Sequence, residues 1–226
     1  MRLHNFFVFF NLSLFTYLMS YISLKIPIPN TLALIALAPI LLYRRLKFGF
    51  SFMRIKLSRG LFAIVNGRDF LKLYMFKWFA KGDGGTFYAI RTFYENGRKK
   101  QVSMHRQIMN PTEGFCIDHR NHIGLDNRRI NLREATQTQN SHNRRKRTNC
   151  SSIYKGVVWK ECHKKWRASI KVNGQTISLG YFDNEIDAAK AYDAAAKEHF
   201  GKFASLNFDP LANEISDEHK KLIFNL

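Results

Sequence analysis

Two Asn-Gly pairs set the tightest limits on what this chain can fold into. Asn96-Gly97 follows TFYAIRTFY (Thr86 to Tyr94), in which aromatic or apolar residues alternate with polar ones, and precedes RKKQVSMH. Asn173-Gly174 separates WRASIKV (Trp166 to Val172) from QTISLG (Gln175 to Gly180). Both central positions of a two-residue hairpin need positive φ, which Asn and Gly reach most easily. Antiparallel hairpins are therefore expected at both places, with a glycine-marked loop at Gly82, Gly84 and Gly85 before the first. YKGVVWK (Tyr154 to Lys160) reads as a further strand. EIDAAKAYDAAAKEHF (Glu185 to Phe200) is Ala-rich, with Ile186, Ala189, Tyr192 and Ala196 at helical spacing on one face. Asp183 or Asn184 can cap that helix. The fold class is α+β: a β-rich segment over residues 53–103, then a later unit of three antiparallel strands and one helix over residues 153–208. A short helix is expected in the tail.

Between these units lies CIDHRNHIGLDNRRINLREATQTQNSHN, Cys116 to Asn143. It crowds acids, histidines and asparagines into a basic run. The whole chain, 226 residues, carries a formal net charge of +19, which calls for an anionic partner such as nucleic acid, anionic lipid or another polyanion. The three cysteines, Cys116, Cys150 and Cys162, form no C-x-x-C pair. That spacing argues against a zinc finger and for free thiols in a reducing compartment.

Cutting a phosphodiester needs a group that deprotonates water near neutral pH, and histidine suits that task. It also needs a divalent ion held by hard oxygen donors, and a neighbour that orients the base. Asp118-His119 with Asn131 and Asn140 supplies these residue types. Adjacent strand residues point to opposite faces, so a bend must re-aim one of the pair. The run resembles the HNH endonuclease motif in the form with Asn at the last position, typical of phage and intron homing endonucleases. Asp-His, Asn twelve residues after the His and Asn nine further on carry the likeness, with the words DHRN, LDNRR-x-NLR and T-x-x-QN and the upstream MHR (Met104 to Arg106). The resemblance implies two strands and a helix around one magnesium or manganese ion, the ββα-metal arrangement. It implies Asp118 and Asn140 as metal ligands, His119 as general base and Asn131 as the residue that fixes the loop and orients His119. Asn143 competes with Asn140 for the ligand role. Arg128, Arg129 and Arg133 fit phosphate contacts, and Asp126-Asn127 reads as a turn.

In WRASIKV, Trp166, Ala168, Ile170 and Val172 share one face, and Arg167, Ser169 and Lys171 share the other. A basic β-ribbon fits the major groove. The words Y-K-G-V, W-x-A-x-I, LG-x-F, DAAKAYD and LNF resemble the plant ethylene-response-factor, or Apetala-type, DNA-binding domain. That likeness implies DNA contacts by Lys155, Trp159, Lys160, Lys165, Trp166, Arg167, Ser169 and Lys171. Plant members have Arg after Y-R-G-V where this chain has Val158, so their base preference does not carry over.

The first fifty residues differ. Asn5 to Leu24 is 20 residues without a charge, and Ile26 to Tyr43 adds 18 before RRLK. The segment supports three readings: an over-extended start with a fresh beginning at Met53, a membrane anchor, or a cleaved signal. The expected organisation is residues 1–52 hydrophobic segment, 53–143 nuclease unit, 144–152 basic linker, 153–208 DNA-binding unit and 209–226 tail. The expected function is a monomeric, cytoplasmic, metal-dependent endonuclease of homing type. It would nick or fully cut double-stranded DNA and need no small-molecule cofactor. The alternative is a DNA-bound regulator with a degenerate nuclease site.

Overall fold

The computed structural model describes residues 30–83, 85–144, 146, 151–209 and 221–223; the uncharged stretch Asn5 to Leu24 lies outside them. The chain divides into two compact units. The first comprises Met1–Ile108, Gly124–Arg129 and Lys220–Leu226; the second comprises Met109–Ile123 and Ile130–His219.

The first unit begins with helix α1 (Asn30–Phe48). A hairpin of β1 (Met53–Lys56) and β2 (Phe62–Val65) follows, then helix α2 (Gly67–Leu73). An antiparallel sheet of β3 (Phe79–Asp83), β4 (Thr86–Glu95) and β5 (Arg98–Ser103) comes next, then helix α3 (Met104–Met109). Asn96 and Gly97 have φ of 50° and 72° at the β4–β5 turn, as the Asn-Gly pair predicts. The expected loop at the preceding glycines is a tighter feature: Gly82 belongs to β3 and pairs with Phe87. The core gathers Phe52, Ile64 and Leu222, with Phe48 and Phe50 against it. Arg44 ties α1 to this core by donating to the Phe52 carbonyl at 2.7 Å with its guanidinium over the Phe52 ring. No helix among the described residues is long and apolar enough to cross a membrane.

The second unit holds an antiparallel pair, β6 (Cys116–His119) and β7 (Leu132–Ala135), followed by helix α4 (Gln137–His142). After it come β8 (Val157–Lys160), β9 (Lys165–Val172) and β10 (Gln175–Phe182), in the antiparallel order β10-β9-β8, and helix α5 (Glu185–Phe200). Asn184 caps α5 by accepting from the Ile186 amide. Ala188, Ala189, Tyr192, Ala195 and Ala196 face the sheet, where Val157, Ala168 and Ile170 meet them. Ile186, expected on that face, is 42% exposed.

The small side chains of α5 let helix and sheet approach closely, and Gly156 marks the closest point. Its φ is +78°, and a Cβ there would lie 2.0 Å from the Tyr192 ring. The glycine of the Y-K-G-V word is thus required twice, by backbone conformation and by space.

Candidate active site

Strand β6 carries Asp118 and His119, paired in register with Arg133 and Leu132 of β7. Adjacent residues of a flat strand would diverge, yet both side chains are buried, at 5% and 6% exposure. The chain turns directly after them: the His122 amide donates to the His119 carbonyl at 3.0 Å, and His122 itself has φ +59°. Asn131 fastens this turn. Its carbonyl accepts from the Arg120 amide and its side-chain Oδ1 accepts from the Asn121 amide, each at 3.0 Å. This buried amide side chain holds the loop on which His119 ends.

The Asp118 carboxylate has two partners. Arg133 grips Oδ2 with Nε at 2.8 Å and Nη2 at 2.6 Å. Asn143 donates through Nδ2 to Oδ1 at 2.9 Å and also to the His119 carbonyl at 3.1 Å. Asn143 is 4% exposed, whereas Asn140 is half-buried one turn earlier on α4. The structure therefore brings Asn143, the competitor, onto Asp118. Helix α4 is placed by a capping box: Thr136 accepts from the Gln139 amide, and the Gln139 side chain accepts from the Thr136 amide. The pattern Thr-x-x-Gln was open to reading in the sequence and sets the phase of both asparagines.

Among the described residues no three His, Cys, Asp or Glu side chains gather as a ready ligand set. A divalent ion here would depend on one carboxylate, Asp118, and on amide oxygens of asparagine. These are hard oxygen donors suited to magnesium or manganese. Oδ1 keeps a second lone pair beside the bond to Asn143, whereas Oδ2 already accepts from two Arg133 nitrogens. The donor set fits such an ion.

Several cations expected on phosphate are engaged by groups of the protein itself. In the first unit, Arg128 forms a two-point pair with fully buried Asp126 at 2.8 Å and lies over the Phe50 ring. Asp126-Asn127 is not a surface turn: Ile64 and Asp126 form a parallel bridge, and the Asn127 amide donates to the Ile64 carbonyl at 2.8 Å. Arg129 forks onto buried Asp69 at 2.9 Å and donates to the Ile108 carbonyl; the Asp69 hydrogen bond raises its pKa. In the second unit, Arg133 serves Asp118. Lys155 points its Nζ at the carbonyls of His142 and Arg144, at 2.8 and 2.7 Å. Burial pulls the Lys155 ammonium down to about 8, against a smaller upward pull from Asp193. Asp193, buried and unforeseen in the sequence, accepts from the amides of Asn207 and Phe208.

The outer face of the three-stranded sheet does hold the other expected residues. Lys160, Lys165, Arg167, Ser169 and Lys171 alternate on the side away from α5. Lys160 stands directly opposite Lys165, and Asp183 reaches only Lys165, at 3.1 Å. Like charges in cross-strand register are unfavourable unless an anion lies over them. Trp159 and Trp166 lie on the helix side instead, edge to face at 5.1 Å, with Trp166 against the core.

The AP2 domain family matches residues 152–201. An uncharacterised HNH endonuclease of Acanthamoeba polyphaga mimivirus is 32% identical over 157 residues, which make up 66% of this chain and 76% of that protein. APETALA2-like protein 2 of Oryza sativa, in subspecies indica and japonica alike, is 37% identical over 67 residues, 29% of this chain but 15% of the rice protein. No solved structure matches the chain.

Proposed function

The chain belongs to the HNH endonuclease family and carries an AP2 domain, and from that premise we propose that it is a metal-dependent DNA endonuclease of homing type. The observation that carries this reading is the buried Asp118-His119 pair, set on a turn that Asn131 fastens. His119 accepts a proton from the attacking water. Asn131 holds the loop so that the ring keeps one orientation. Asp118 and Asn140, with Asn143 beside them, would hold a divalent ion, which when bound would supply charge neutralisation to the phosphodiester. The products carry a 5′-phosphate and a 3′-hydroxyl. Lys160, Lys165, Arg167, Ser169 and Lys171 present donors to duplex DNA, and Arg and Lys at such positions reach both phosphates and guanine edges.

One observation favours the regulator reading: both Asp118 oxygens already accept hydrogen bonds from protein groups. A single assay separates the two. The full chain and its His119→Ala variant are incubated with supercoiled plasmid in magnesium, in manganese and in EDTA. Metal-dependent nicking that vanishes in the variant is the expected result. Equal DNA binding by both proteins with no cleavage in any buffer, on host genomic DNA as well as plasmid, would leave the regulator.

A further inference from the structure

An endonuclease with a separate DNA reader needs nothing more than a tether between them, and residues 144–152 could serve as one. The second unit instead packs the last residue of α5 and the 3-10 turn after it, Gly201–Phe203, against the nuclease segment. The ring of Phe203 lies 4.3 Å from the Arg133 guanidinium, which also donates to the Lys202 carbonyl. Phe200 stacks on His142 at 3.9 Å and 17°. Lys155, from the reader, covers the His142 carbonyl at the C-terminal end of α4 and the Arg144 carbonyl just beyond it.

Arg133 is the link with chemical consequence, because the same guanidinium grips Asp118. Its planar fork divides the work: Nε and Nη2 go to the carboxylate, and Nη1 goes to Lys202. A lysine has the charge but cannot serve both partners in a fixed plane. The Arg133–Asp118 pair is buried on both sides, so its geometry is not averaged by water. On the endonuclease reading above, we infer that Arg133 is a positioning residue: the 3-10 turn Gly201–Phe203 that follows α5 fixes its guanidinium, the guanidinium fixes the Asp118 carboxylate, and the reader module thereby sets the geometry of the cutting centre. DNA held on the β8–β10 sheet then meets the centre at one offset, and the cut falls at one distance from the sequence read.

The test uses the full chain with Arg133→Lys and Phe203→Leu, compared by amide hydrogen exchange and by plasmid nicking in magnesium and manganese. Both variants should speed exchange over Cys116–Ile123 by about tenfold while Trp166–Val172 stays protected. Nicking at saturating DNA should fall by about tenfold with plasmid affinity changed less than about twofold, the signature of a group that acts on the chemical step. Unchanged exchange over Cys116–Ile123 in both variants overturns the inference, as does faster exchange with an unchanged nicking rate. If Phe203→Leu also loosens Trp166–Val172, Arg133→Lys decides alone: faster exchange over Gly201–Phe208 supports the link and unchanged exchange there refutes it. A wild-type chain that nicks in neither metal removes the endonuclease reading and the positioning role with it, while the exchange result still reports whether the link exists.

Discussion

Gly156→Ala probes the contact on which the AP2 domain is built. A Cβ at this position would lie 2.0 Å from Cδ2 and 2.4 Å from Cε2 of Tyr192, at a backbone φ of +78°. Two costs add. Holding an L-residue in the left-handed region costs about 1–2 kcal/mol. Forcing a packed ring aside adds about 1–3 kcal/mol, since Tyr192 is buried among Ile170, Ala195 and Ala196. The sum, about 2–5 kcal/mol, rivals the roughly 3–5 kcal/mol that the core of so small a module supplies. Gly174→Ala is the control: φ is +84°, but a Cβ there meets nothing within 4 Å, so it carries the backbone cost alone. Each kcal/mol moves the midpoint of a domain this size by about 4–8 °C. Thermal unfolding followed by far-UV circular dichroism should therefore show Gly174→Ala lowered by roughly 4–16 °C. Gly156→Ala should be lowered further or show no cooperative transition for the module. Equal midpoints for the two variants would refute the claim that the ring contact, rather than turn conformation, dictates this glycine.

Asn143→Ala removes the donor to Asp118 Oδ1 and to the His119 carbonyl; denaturant unfolding should register a loss of about 1–3 kcal/mol, and plasmid nicking should fall with it. Lys155 loses its proton near 8 in the folded chain against 10.5 when unfolded, so the unfolded state binds more protons between those values and stability rises with pH across that window, by at most about 3 kcal/mol. Tyr192, held by burial up to about 12, opposes the rise above its ordinary value of 10; a Lys155→Met chain should lack the rise between pH 8 and 10 in unfolding titrations. Burial, and then the charge of Lys155, lower the His142 pKa from 6.5, so the unfolded chain takes up that proton first and stability drains as pH falls below that value; His142→Phe should remove the acid-side loss. Lys171→Ala, on the exposed outer face, should flatten the salt dependence of duplex binding by about one counterion, whereas Arg128→Met should leave the slope unchanged.

What the sequence disclosed was local. Asn96-Gly97 and Asn173-Gly174 dictate hairpins through the sterics of two residues, and both turns have the positive φ they imply. The run Glu185–Phe200 dictates a helix through composition, and Asn184 caps it at close range. What it concealed was pairing across distance. A basic residue looks the same in sequence whether it faces phosphate or a buried acid. Arg129 meets Asp69 sixty residues away, and Arg133 meets Asp118 across a strand pair. Arg128 had its partner two residues off at Asp126, but only the burial of that acid beside β2 reveals the pair as interior. Trp159 and Trp166 were drawn to the DNA face by the family likeness, although β-alternation already placed Trp166 opposite Arg167. The Asp118 neighbourhood was half legible. Its residue types match the family motif, while the choice between Asn140 and Asn143 hangs on how α4 rotates over the strands.

The positive charge of the chain therefore divides into two populations with different work. Arg128, Arg129 and Arg133 sit against Asp126, Asp69 and Asp118, where each pair is close to neutral and adds little to the field that DNA meets. For the two enclosed pairs, Arg128–Asp126 and Arg133–Asp118, the value lies in geometry, because breaking a buried pair strands a charge and costs far more than the pair itself contributes; the Arg129 side chain stays half exposed. Lys160, Lys165, Arg167 and Lys171 share the open face of the sheet, two of them in direct opposition. They are held apart from compensating acids apart from Asp183, and so they remain available to a polyanion. Arg133 holds Asp118 in the second unit, Arg128 and Arg129 pair with acids of the first, and the cations of the open face are left accessible to an anionic partner. The partners of the Arg133 guanidinium span both modules. That makes it the residue through which an event on the reading face can reach the acid that would hold the metal.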